Sequence, residues 1–314
     1  MKLLWKRTLI AACCALAPLD AYAQLNGNNL RGDFGVGSGT QPAPGLYASF
    51  LYFNYDTDTI RDRHGDRINS SGEIGIHGIA PLLTWVGKGK IVGATYGVMA
   101  VLPFANNGLE APAFGLNLGS GLGIADMYVR PVQLGWRSPR ADATAGLGFY
   151  LPTGRYEADA NDNTGLGMTG FEIFAGTTVY LDEAKTLSIA TTGFWETHSA
   201  KKDSDTTVGD VLTLEGGIGK SCLGGGASLG VAYYAQWKLT ADEFGRRFPS
   251  ALAELNKHRT FALGPDVTLP IAMKQKLVAL VNVRAQWEVA SRSTTEGRMI
   301  VVTGTFPIPS IPIK

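Results

Sequence analysis

The chain has 314 residues, 28 Lys+Arg against 27 Asp+Glu, 18% charged residues, 40 glycines and a mean hydropathy near zero. Glycine is nearly twice as common as in ordinary soluble domains and charge is scarcer, yet no glycine period supports a collagen-like reading. No run of about 20 apolar residues supports a polytopic helical membrane protein, and the balanced charge leaves no footprint for nucleic acid.

Residues 1–23 read as an export leader, with Lys2, Lys6 and Arg7 before an apolar core from Thr8 to Leu19 and an Ala21-Tyr22-Ala23 cleavage box. Cleavage there leaves 25 Lys+Arg against 26 Asp+Glu, a balance of −1, and Cys222 as the one cysteine. A disulfide framework and a cysteine metal site are then both out of reach. A lipoprotein box at Cys13 is the weaker alternative, because few apolar residues separate it from Arg7. Residues 24–44, rich in Gly and Asn, precede the first strand on the periplasmic side. They read either as a disordered leader or as a plug that enters the lumen and moves to admit substrate.

From residue 45 onward, apolar and polar residues alternate with period two, as a strand between lipid and water must. The clearest case is 277–288, with Leu277, Ala279, Val281, Val283, Ala285 and Trp287 on one face and Asn282, Arg284, Gln286 and Glu288 on the other. Twelve segments follow this pattern: 45–55, 72–86, 90–102, 122–137, 141–151, 165–181, 186–197, 209–220, 226–240, 258–272, 276–288 and 297–307. Their connections alternate between long and short. Asp56–Ser71, Pro103–Gly121, Pro152–Thr164, His198–Val208, Ala241–Lys257 and Val289–Glu296 fall at one end, and tight turns at the other. That sorting, with an even strand number, predicts an all-β fold: a transmembrane antiparallel up-and-down β-barrel of about 12 strands with long extracellular loops and short periplasmic turns. Closure is required because lipid cannot satisfy an open strand edge. Trp85, Trp136, Trp195, Trp237 and Trp287 fall near strand ends, where interfacial aromatic girdles form. Gly75, Gly146, Gly148, Gly217 and Gly219 fall on the lumen side, where they permit close packing. The barrel is assigned to 45–307, a C-terminal tail to 308–314, and a short helix over the mouth to Ala241–Lys257, where Phe244, Phe248, Leu252 and Leu255 have helical spacing.

Three stretches carry a resemblance. Gly35–Tyr47 with Tyr52-Phe53-Asn54-Tyr55, Gly123–Pro131 with Leu134-Gly135-Trp136, and Phe149–Tyr156 are similar to the bacterial family named for the meta-pathway of phenol degradation. The resemblance implies a Gram-negative outer-membrane barrel that takes up aromatic or other hydrophobic compounds, with outer-membrane lipid and the barrel assembly machinery as partners. One departure is the C-terminus: barrels of this kind usually finish on Phe, whereas Phe306 is followed by Pro307-Ile308-Pro309-Ser310-Ile311-Pro312-Ile313-Lys314.

The alternation assigns Glu73, His77, Asp126, Arg130, Glu172, Glu196, Glu215, Lys238, Arg284 and Glu288 to the lumen, with Tyr128, Tyr150, Phe174 and Tyr234 as stacking surfaces. Two roles are open to the charges: mutual pairing that closes a narrow lumen, since unpaired buried charge is costly, or a polar track that orients a substrate hydroxyl or carboxylate. Catalytic look-alikes do not hold up. Gly219-Lys220-Ser221 lacks the first glycine of a phosphate loop, Gly226–Gly230 places Ser228 at a strand start, and Arg67 blocks a calcium loop at Asp62–Glu73. The expected function is a channel for hydrophobic or aromatic small molecules, without catalytic residues, cofactor or bound metal. The alternatives are a general small-solute or structural barrel and, further off, a barrel-embedded acyl hydrolase using His198 and Ser199.

Overall fold

A computed structural model describes residues 27–68, 72–111, 116–158, 160, 162–222, 227–244, 257–309 and 311–312. The leader and most of the expected mouth helix lie outside the described residues.

Among the described residues twelve long strands close into one antiparallel barrel. They are β1 (Gly45–Thr57), β2 (Glu73–Ile91), β3 (Ala94–Val101), β4 (Met127–Arg137), β5 (Ala141–Leu151), β6 (Gly170–Tyr180), β7 (Leu187–His198), β8 (Val211–Cys222), β9 (Ala227–Lys238), β10 (Arg259–Met273), β11 (Lys276–Arg292) and β12 (Arg298–Ile308). Each pairs with its sequence neighbour, and β1 closes the ring by pairing with both β2 and β12, Leu46 opposite Ile308 and Asp56 opposite Arg298. No edge is left for lipid to face. The twelve expected segments all correspond to strands, with ends shifted by up to five residues.

One connection differs from expectation. Pro103 cannot donate to the ladder, so β3 stops there, but the chain resumes as a strand over Phe104–Ala111. That piece pairs with Glu73–Ile79 of β2 and with Leu116–Gly119, extending the wall where a loop was expected. At the same end, Ile60–Arg61, Arg67–Ile68 and Thr294–Thr295 form a small separate sheet that ties the first long loop to the last.

The outer surface is an apolar belt: Phe50, Ile79, Leu83, Ile173, Val231, Leu263 and Val283 are all about half exposed. Trp85 and Trp136 border it on the tight-turn side, and Trp195, Trp237 and Trp287 on the long-loop side, each on the face opposite its lumen-facing neighbours. Inside, several lumen glycines have identifiable neighbours. A Cβ at Gly146 would collide with the Phe174 ring, one at Gly148 with Tyr128, and ones at Gly217, Gly219 and Gly230 with Val36. Gly75, expected on the lumen side, instead shares the outer face of β2 with Glu73 and His77 and has nothing near it.

Candidate functional site

The lumen is occupied by the chain's own N-terminal segment. Residues 27–41 rise from the tight-turn end, where the Tyr47 hydroxyl donates to the Ala43 carbonyl at 2.8 Å, toward the long-loop end, where Asn28 meets Glu196. Its turn-rich backbone aims several N–H groups at wall carboxylates. Asn28 N–H donates to Glu196 at 2.8 Å, Gly32 N–H and Phe34 N–H to the two oxygens of Glu215 at 3.0 and 2.7 Å, and Val36 N–H to Asp266 at 2.9 Å. Cations take the carbonyls: Arg284 donates to the Gly32 and Asp33 oxygens at 2.7 and 2.6 Å, and Arg137 to the Gln41 oxygen at 2.7 Å. The Arg31 guanidinium lies 3.4 Å from Glu288 and over the Tyr55 and Tyr234 rings. The Val36 side chain fills the recess left by Gly217, Gly219 and Gly230. Glycines at 32 and 37 adopt φ of 83° and 85°, a region L side chains avoid.

The lumen-facing carboxylates of β7, β8 and β10 thus satisfy an irregular backbone that would otherwise be buried without partners, while those of β6 and β11 meet the Asn29 and Arg31 side chains. The other side of the barrel does something different. β1, β2, β3 and β12 present Leu51, Phe53, Ala80, Leu82, Met99, Val101, Val301 and Met299, packed partly on Leu30 of the inserted segment. Between that wall and the segment runs a cavity of about 660 Å³, reaching from Tyr47, Thr84 and Thr305 near the tight turns to Ile74, Asn107 and Thr295 near the long loops.

Several expected lumen residues come together. Glu172 accepts from the Tyr128 hydroxyl at 2.6 Å, the Tyr150 hydroxyl at 2.9 Å and Asn29 Nδ2 at 3.4 Å, and pairs with Arg130 at 3.5 Å. The Arg130 guanidinium sits 3.9 Å from the Phe174 ring centre. Glu288 repeats the motif, accepting from the Tyr55 and Tyr234 hydroxyls at 2.9 Å each. Arg284 pairs with Asp266 at 3.1 Å. Two others fasten loops: Asp126 accepts from Gly154 N–H and Leu166 N–H at 3.0 and 2.7 Å, and Lys238 pairs with Asp242 at 2.6 Å. In the same loop layer Lys201 donates to the Leu166 carbonyl at 2.7 Å and lies over the Tyr156 ring; burial pushes its ammonium down to about 7.

Glu73 and His77 are corrected. Both are exposed on the outer face of β2, because the lumen positions of that strand are Ile74, Ile76, Ala80 and Leu82. Polar-in parity fails where the lumen itself is apolar. Arg31, Asp33, Val36, Arg137, Asp142 and Asp266 were missed. The alternation could have placed Asp142 and Asp266 on the lumen face, whereas the segment before the first strand has no such signal.

A closed barrel with an apolar outer belt and its own N-terminal segment threaded through the lumen defines an outer-membrane β-barrel of the plugged type. The chain belongs to the family described as the MetA-pathway of phenol degradation, whose model matches residues 57–303. Among solved structures, an outer membrane channel from Pseudomonas putida F1 is similar at 14% identity and a TM-score of 0.72, covering 89% of this chain and 99% of that one. The transport unit of the autotransporter AIDA-I from Escherichia coli is similar at 8% identity and a TM-score of 0.52, covering 92% and 95%. Both show the barrel fold. A search of the curated proteins finds no match.

Proposed function

We propose that the protein is a channel carrying small hydrophobic or aromatic molecules across the outer membrane of a Gram-negative bacterium, with residues 27–41 as a movable plug. The observation that carries this is the division of the lumen. Much of the charged half holds the plug, and the apolar half supplies much of the wall of a cavity that extends from the tight-turn end to the long-loop end. A general porin needs a wide polar lumen, whereas here the inserted segment narrows the lumen and engages Glu196, Glu215, Asp266 and Arg284 of its polar wall. Export by the leader and insertion by the barrel assembly machinery belong to the same proposal. The hydrolase alternative gains no support: the buried His198 ring contacts the Val208 carbonyl and Glu196, while the Ser199 hydroxyl donates to the Ala200 carbonyl.

The test is uptake of radiolabelled aromatic compounds by cells expressing the native chain, a chain lacking residues 27–41, and an empty vector. The proposal expects native uptake above the vector and higher ionic conductance for the shortened barrel in planar bilayers. Uptake no greater than the vector from either chain would refute it.

A further inference from the structure

The plug carries oxygen acceptors on residues that line the passage and leaves them without donors. Asp33 lines the cavity, and among the described residues its carboxylate makes no hydrogen bond; Arg284 holds only its backbone carbonyl. Arg284 and Arg130 act on it electrostatically without an ion-pair contact to it. Closer to the long loops, Asn28 and Asn29 also line the cavity, and the Oδ1 atom of each is buried with no partner. Asn29 Nδ2 is turned the other way, toward Glu172. The cavity that these residues share is lined elsewhere by Leu30, Leu51, Phe53, Ile76 and Val101, while the charged groups acting on Asp33 are Arg284, Arg130 and Glu172. A buried acceptor without a donor is costly, and two of them, with the unbonded and partly accessible Asp33 carboxylate, line one passage where an incoming hydroxyl would satisfy them.

Resting on the channel reading above, we propose that Asp33, with Asn28 and Asn29, forms an acceptor subsite that selects hydrophobic molecules bearing a hydroxyl donor over those without one. The apolar wall takes the hydrocarbon body and the Asp33 carboxylate accepts the O–H. Phenol fits both demands; toluene, with a methyl in place of the hydroxyl, fits only the first. A hydrogen bond to a charged group is strong enough to give roughly tenfold discrimination.

The experiment compares influx of radiolabelled phenol and toluene at equal low concentration in cells expressing the native chain, Asp33→Leu, Asp33→Asn and an empty vector. Equilibrium dialysis of the two compounds against the purified proteins accompanies it. The expected result is a phenol-to-toluene influx ratio about tenfold lower in Asp33→Leu. Asp33→Asn, which keeps an acceptor oxygen, should fall in between, and phenol binding should drop in parallel. The ratio is independent of any general loosening of the plug, which raises both fluxes together. An unchanged ratio in Asp33→Leu with native uptake intact would overturn the subsite and leave the channel standing. Native uptake at the vector level would overturn the channel itself, and the subsite with it.

Discussion

Replacing Glu215 by Ala tests how the plug is latched. Glu215 is fully buried on β8 and receives two plug N–H groups, from Gly32 at 3.0 Å and Phe34 at 2.7 Å. Hydrogen bonds to a carboxylate contribute about 1.5–3 kcal/mol each, so the pair holds the plug by roughly 3–6 kcal/mol. Water entering the vacated space returns part of that, which makes the lower figure the better guide. About 3 kcal/mol corresponds to roughly a hundredfold change in an equilibrium constant. In planar bilayers Glu215→Ala should therefore spend about a hundredfold more time in a high-conductance state whose amplitude equals that of the barrel lacking residues 27–41. Glu215→Gln, retaining one acceptor, should give about a tenfold increase. If the shortened barrel conducts strongly while Glu215→Ala behaves as native, the carboxylate latch is wrong. If the shortened barrel conducts no better than native, the segment is not the barrier at all.

Other perturbations bear on different contacts. Gly219→Leu fills the recess that receives Val36; it should displace the plug and raise conductance without lowering barrel stability, as followed by heat-dependent gel mobility. Tyr234→Phe removes the hydroxyl bonded to Glu288 and should cost about 1–2 kcal/mol in denaturant unfolding, with Tyr55 retaining half of the contact. Lys201 titrates near 7 in the folded loop against an ordinary value of 10.5. Between those values the unfolded form binds more protons, so the loop layer gains stability as pH rises from about 7 toward 10. Hydrogen exchange of residues 199–208, corrected for intrinsic rates, should slow over that window, and Lys201→Met should flatten the dependence.

The strands were legible because lipid imposes one rule on every outward position, so a period of two survives in β6, β9 and β11 whatever the lumen holds. The lumen obeys no such rule. On β11, Asn282, Arg284, Gln286 and Glu288 face inward and the parity is plain. On β1 and β2, Leu51, Phe53, Ile74 and Ile76 face inward while Phe50, Tyr52 and Ile79 face outward, and hydropathy cannot distinguish the two sides. Glu73 and His77 were misplaced for that reason. The plug was legible only as a candidate: an irregular Gly-rich segment has no periodicity, and what fixes it is a set of carboxylates 140–230 residues away along the chain. The charges expected to compensate one another do so in part, as in Arg130 with Glu172 and Arg284 with Asp266, but Glu196 and Glu215 are spent on plug backbone.

The two halves of the barrel wall meet the plug differently: the apolar half packs on the Leu30 side chain, and the polar half holds the backbone. A substitution among Leu51, Phe53, Leu82 or Val101 reshapes the passage without touching any of the wall carboxylates that hold the plug backbone. On the channel reading proposed above, a substitution among those carboxylates alters how often the passage opens and leaves its lining intact, so that substrate preference and opening probability fall to different residues of one scaffold.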